Sequence, residues 1–222
     1  MHRSYVGDKQ ILVDTQRIGS RPAIRVMDLL AGRVNMADLV KEANRNHALL
    51  KLKMIEDVLH AAITEFASPF YATGTGIINA TLDDQLDYFE TLGPVTILGD
   101  RRAVSQLSLT LDPTLPGYSD GMKNEYNESG YLGRYKGTPV VKLANAVQSG
   151  TTEPILNKDW LYLVPGGLSA DTKNLKCVTE GNVQTMTSQN IDDLVFEMLI
   201  WEKFGAAFVS TDIPNIGAYQ IG

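Results

Sequence analysis

The stretch Gly117-Tyr118-Ser119-Asp120-Gly121 has the G-x-S-x-G spacing of a hydrolase nucleophile elbow. Such an elbow needs a strand that delivers Ser119 to a tight turn, then a helix that aims amide donors at an oxyanion. It also needs a base to take the hydroxyl proton. A helix can follow through Lys123 and Tyr126, but Pro113 and Pro116 oppose a central strand on the approach. The histidines, His2, His47 and His60, all lie upstream, and two of them fall within one helical pattern. Triad order varies between folds, so order alone does not decide. Ser119 is therefore expected to cap the helix after it, and a serine hydrolase using Ser119 stands as a distant alternative.

Other reactive residue types are no better arranged. The histidine spacing matches neither H-E-x-x-H nor a Cys/His zinc site, so helix packing is the expected role of His47 and His60. Asp83-Asp84 and Asp192-Asp193 are acidic pairs, but adjacent side chains diverge on a helix and face opposite sides of a strand. Helix-start electrostatics account for the first pair; the second would do the same if the element after it were helical, and is otherwise a solvated turn. Gly74-x-Gly76 lacks the rest of a dinucleotide fingerprint, and no Walker lysine motif occurs. Cys177 is the single cysteine; within Leu175-Lys176-Cys177-Val178 it reads as a buried structural thiol. No catalytic, cofactor-binding or metal-ligating residue is assigned, and no cofactor is expected.

The elements that would have to position such chemistry suggest a scaffold instead. With 222 residues, 44% hydrophobic and 21% charged, the chain can bury a sizeable ordered core. Its net charge of −6 argues against sequence-independent nucleic-acid binding, and Lys51/Lys53 and Arg101/Arg102 read as solvated faces. The first residues lack the apolar segment of a signal peptide, and no stretch supplies eighteen uncharged apolar residues for a membrane span.

KQILVDTQRI alternates Ile11, Val13 and Thr15 and predicts a half-exposed strand, interrupted at Gly19, Ser20 and Pro22. A partner for it must come from elsewhere, another subunit included, and residues 9–13 are expected to project or borrow a neighbour. Residues 35–67 contain no Gly or Pro and predict one long helix capped by Asn35. Leu52, Ile55, Leu59, Ala62 and Phe66 form its apolar stripe. The length suits a coiled coil or a molecular spine, and the broken heptads favour the spine. Pro69 stops it, and Gly74-Thr75-Gly76 predicts a flexible loop. Thr81 is expected to cap a second helix, with Asp84 completing a capping box. A strand over 94–98 then leads to Asp100 as the cap of a third helix.

Short strands are predicted at 137–143, 160–164, 175–178 and 183–187. Trp160 and Tyr162 share one face of theirs, in a core or subunit contact. Residues 193–209 alternate with a period nearer two than 3.6 and read as a long strand bent at Gly205, with a helix as the weaker alternative.

The carboxyl-terminal half resembles HK97-type tailed-bacteriophage major capsid proteins. The residues that carry the resemblance are GRYKGTPVVKL at 133–143, LNKDWLYLVPGG at 156–167, LKCVTEGNVQTMTS at 175–188 and NIDDLVFEMLIWEKFGAAFV at 190–209. Tyr135 to Val140 is similar to the family's R/Y-K/R-G-x-P-V strand, and 180–184 to a late strand. Glu197, Gly205, Ala207 and Val209 follow the order of its terminal segment, an acidic residue inside an apolar strand. Upstream, the helix from Asn35 resembles the family's spine. LDDQLDYFETLGPVTILGDRRAVSQLS at 82–108 resembles the passage into its axial domain.

The resemblance implies an α+β, HK97-like fold with a long spine helix and a mixed axial domain. Residues 1–34 would be a partial extended loop and the start of the peripheral domain. Residues 35–80 would be the spine and a peripheral segment, and 81–222 mainly the axial domain with a peripheral strand intervening or terminal. The amino-terminal arm and the outward strand of the extended loop have no counterpart before Lys9, and Lys9 is too poorly aligned to inherit the crosslinking role of some relatives. The implied function is a structural major capsid subunit, a truncated form of one included, that self-associates into the icosahedral shell enclosing phage DNA. A protein encapsulating compartment is the alternative. The implied partners are copies of the chain as pentamers and hexamers, with scaffold, portal or decoration proteins. Neither a specific nucleic-acid sequence nor a membrane is implied. The expected location is the virion capsid, and the host cytoplasm before assembly.

Overall fold

The computed structural model describes residues 13–109, 120–147, 151–168, 173–190, 194–209 and 214–222. The chain forms two compact units interleaved in sequence. One comprises Met1–His47 and Leu175–Val209, the other Ala48–Asn174 and Ser210–Gly222. The consecutive segments 1–34, 35–80 and 81–222 of the sequence reading cut the chain differently.

In the first unit, strands β1 (Gln16–Ser20) and β2 (Ala23–Arg25) lie along one side of β9 (Val195–Phe208), and β8 (Leu175–Asn190) along the other, all antiparallel. Strand β1, at the end of the expected opening strand, pairs with β9 within the chain. It also starts later than KQILVDTQRI suggests and runs through Gly19 and Ser20. Gly19 is needed there, because a Cβ would press on the Ile200 carbonyl at 2.9 Å. Residues 9–12 lie outside the described residues.

The period of two over 195–208 does form a strand. Met198, Ile200, Glu202 and Phe204 are buried on one face, where Met198 and Ile200 pack with Ile24, Leu39 and Ala43. The two short strands expected at 175–178 and 183–187 are one strand, β8, whose register against β9 shifts between Glu180 and Gln184. Gly181 has φ +80 at the shift, a backbone conformation that favours glycine. Cys177 is exposed, contrary to its apolar context, because every β8 residue from Cys177 to Gln189 is open to solvent.

A short helix, α1 (Val26–Leu30), precedes α2 (Met36–Ile63). Asn35 Oδ1 accepts the Asp38 amide at 2.9 Å, and Asp38 Oδ2 accepts the Asn35 amide at 3.1 Å. The reciprocal box with Asp in place of Glu therefore closes here. It does not close at Thr81: α3 (Asn79–Glu90) begins two residues earlier, after Ile78, without a side-chain cap. Helix α2 is about 42 Å long at about 1.5 Å per residue. It ends a turn before Ala67, where the Thr64 hydroxyl donates to the His60 and Ala61 carbonyls. The stripe Leu52, Ile55, Leu59, Ala62 and Phe66 is only half-buried. The fully covered α2 positions are Leu39, Ala43, His47, Glu56 and Ile63.

The second unit is built on a six-stranded mixed sheet in the order β3-β10-β7-β4-β6-β5. Its strands are β3 (Tyr71–Gly74), β4 (Val95–Gly99), β5 (Arg134–Tyr135), β6 (Thr138–Lys142), β7 (Trp160–Pro165) and β10 (Gly217–Ile221). Only β3 with β10 and β4 with β6 are parallel. Strand β3 occupies part of the expected flexible loop, and β10 is a further strand that the local pattern does not announce.

Leu161 and Leu163 turn to the side of α3 and α4 (Arg101–Leu109), in a core with Leu82, Phe89 and Leu107. Trp160 and Tyr162 share the opposite face, as expected, and meet the later turns of α2. Asp100 caps α4 as predicted, its Oδ1 accepting the Arg102 amide at 3.0 Å. Helix α5 (Asp120–Ser129) begins one residue after Ser119, and Ser119 itself lies outside the described residues.

Candidate functional site

The chemistry-bearing groups of the second unit gather where α2 meets β7. Glu56, on the buried side of α2, is 6% exposed. Its Oε1 accepts the Tyr162 hydroxyl at 2.5 Å and the Asn157 amide at 3.2 Å. One turn on, the His60 ring stacks on Trp160 with centroids 4.1 Å apart. Beside them an open groove of about 410 Å³ is lined by Lys53, Asp57, His60 and residues 153–159. Burial pushes the Tyr162 phenol far above its ordinary range, and the Glu56 charge and hydrogen bond push it further. Such a phenol holds its proton at any working pH. Its hydroxyl anchors the Glu56 carboxylate.

In the first unit, His47 Nε2 and Glu202 Oε1 meet at 2.9 Å, both residues buried between α2 and β9. His47 Nδ1 has no partner among the described residues. The acid buried inside β9 is thus Glu202. Glu197, which the sequence reading singled out, pairs with Arg21 and accepts the Ser188 hydroxyl at 3.3 Å on the exposed side.

A third group joins α3 to the β5–β6 hairpin. The Tyr135 hydroxyl lies 3.3 Å from both Asn79 Oδ1 and Asp83 Oδ1, and the Lys136 ammonium pairs with Asp83. Asp83 therefore serves the hairpin and not the helix start, where α3 has no acidic residue in its first turn. The hydrogen bond from Asp83 raises the Lys136 pKa, and burial raises that of Tyr135 with the Asp83 charge adding to it. A lysine so shifted stays an ammonium and is a poor nucleophile. Neighbouring chain also lifts the exposed Cys177 thiol above its usual value, which reduces its thiolate fraction.

Of the sequence-level candidates, the described histidines have separate partners. His47 and His60 are occupied separately, by Glu202 and by Trp160. Ser119, His2, Lys9 and Asp192-Asp193 lie outside the described residues. The sheet is mixed, where a nucleophile elbow belongs to a parallel one. Among the described residues, no three His, Cys, Asp or Glu side chains gather to hold a metal ion, and no helix is long and apolar enough to cross a membrane. Sequence reasoning missed Glu56 and Glu202. Only the alternation of 195–204 could have indicated Glu202, since it puts that residue in phase with Met198 and Ile200.

Residues 1–219 match the sequence profile of a family described as "SPbeta prophage-derived putative capsid protein YonB". No curated protein sequence matches the chain. Its fold is similar to that of a protein in the procapsid of satellite phage P4 that includes the size determination (Sid) protein. That likeness has a TM-score of 0.63 at 9% identity and covers 99% of this chain and 75% of that one. The mature capsid of bacteriophage PhiM1 gives 0.58 at 12% identity, over 100% and 78% of the two chains. The SrpI encapsulin complex of Synechococcus elongatus gives 0.53 at 11% identity, over 93% and 73%. These likenesses establish the HK97-like capsid fold.

Proposed function

Because the chain belongs to the SPbeta prophage-derived capsid protein family, we propose that it is the major shell subunit of a phage-type capsid, closing with copies of itself around DNA. The observation that carries the reading is the family match over residues 1–219, and the HK97-like fold supports it. The first unit, with the start of α2, corresponds in this reading to the peripheral part of the subunit, and the second unit to the axial part. Pentamers and hexamers are the assemblies such a body builds, with scaffold, portal or decoration proteins as accessory partners. The subunit passes from the host cytoplasm into the virion shell and performs no catalysis. An encapsulating compartment shares the fold, but the family is a prophage one.

The test is assembly. Purified chain, over a range of salt and with a scaffold partner supplied, is expected to give capsomers or closed shells by sizing and negative-stain imaging. A persistent monomer under all those conditions would refute the reading. Ester hydrolysis by the same preparation that disappeared on Ser119→Ala would refute the non-enzymatic part.

A further inference from the structure

Strand β8 is the outer strand of its sheet, and among the described residues it pairs only with β9. Its two stretches differ. Before the register shift, Lys176 and Glu180 provide the charges that normally discourage edge-to-edge pairing. After it, Gln184 to Asn190 run in regular register against Trp201 to Val195. From Gly181 to Asn190 there is neither a charged residue nor a proline. Val183 and Met186 instead stand 48% and 64% exposed. In an antiparallel ladder alternate residues turn their N–H and C=O away from the partner, so roughly half of this stretch presents open backbone groups.

We propose that this edge is a two-fold contact, at which a second copy of the chain adds its own β8 antiparallel. The inference rests on the capsid reading for the supply of copies, and it names one surface by which they meet. The occupant follows from the pattern of side chains. An antiparallel pair centred on Met186 sets Met186 opposite itself, Thr185 opposite Thr187 and Gln184 opposite Ser188. Threonine pairs across strands are favourable, and no charge meets a like charge within the paired run. Lys176 and Glu180 remain outside it. A charged peptide would find no complement along these residues. An isologous pair also closes on itself and leaves no further edge to extend.

The experiment uses the full chain carrying Cys177→Ser, with Met186→Cys added. Opposite residues in an antiparallel pair have Cα atoms about 4.5–5.5 Å apart, within disulfide reach. Mild oxidation is expected to convert the Met186→Cys protein to a covalent dimer, while Thr179→Cys in the same background, ahead of the register shift, stays monomeric. A Met186→Cys protein that stays monomeric, or a Thr179→Cys protein that crosslinks equally, would overturn the contact. As a second measure, Met186→Lys is expected to weaken self-association by about tenfold or more. An unchanged association constant would count against the contact. Particle imaging of the same samples reads the capsid function separately. Shells without the Met186 crosslink would discard this contact and keep the function, whereas the crosslink without shells would do the reverse.

Discussion

Tyr162→Phe isolates one hydroxyl in the buried group around Glu56. The ring stays, so packing against Trp160, 5.9 Å away between centroids, is preserved. What is lost is the 2.5 Å bond to a carboxylate that is itself 6% exposed. A hydrogen bond to a charged group contributes about 1.5–3 kcal/mol, and the oxygen left behind keeps only the Asn157 amide. At about 2–4 °C per kcal/mol, the melting temperature should fall by roughly 3–12 °C. Urea titration at pH 7 measures the free energy directly, and Glu56→Gln, which retains an acceptor for the hydroxyl, should lose less. The pH dependence gives a second readout. Because the native state raises the Tyr162 pKa, its contribution is whole below the unfolded phenol pKa of about 10 and declines as pH rises beyond it. The wild-type stability curve should therefore fall more steeply above pH 10 than that of Tyr162→Phe. Equal stability at pH 7 within about 0.5 kcal/mol, with parallel alkaline limbs, would refute the account of Glu56 as a buried anchor.

His47→Leu should cost about 1.5–3 kcal/mol by denaturant titration, because the buried hydrogen bond between His47 and Glu202 is lost, and His47→Leu with Glu202→Leu should recover part of that loss. Gly217→Ala would set a methyl group against the ring of fully buried Phe89, so a loss of about 1–3 kcal/mol is expected, and unchanged stability would contradict the packing. Cys177 should react with iodoacetamide at pH 8 more slowly than a small free thiol, since its raised pKa leaves less thiolate; a faster reaction would reverse the inference.

What could be read ahead of the structure was whatever local chemistry settles. Asn35 and Asp100 cap where their spacing says, and the alternation through Trp201 distinguishes strand from helix. What could not be read depends on partners far along the chain. Tyr71 to Gly74 is a strand only because Ala218 to Ile221 lies beside it, and a local reading sees Gly74 and Gly76 as a loop. Cys177 has apolar neighbours in sequence, yet it stands on an exposed outer strand. The α2 stripe illustrates the same limit: periodicity located apolar residues, while the best-covered positions include His47 and Glu56, whose partners come from β9 and β7.

Strand β10 lies inside the second sheet, between β3 and β7, although it follows every other strand in sequence. Tyr71 and Gln220, which are hydrogen-bonded across β3 and β10, are 149 residues apart. During synthesis, β3 therefore leaves the ribosome long before the only strand it pairs with among the described residues, and β7 waits with one edge bare. Contacts of such separation form slowly, because the loop must close before the pairing can compensate. For a subunit whose copies are built to associate, this ordering acts as a timer. The second unit cannot offer finished surfaces to a neighbour until residues 217–221 have been made and inserted.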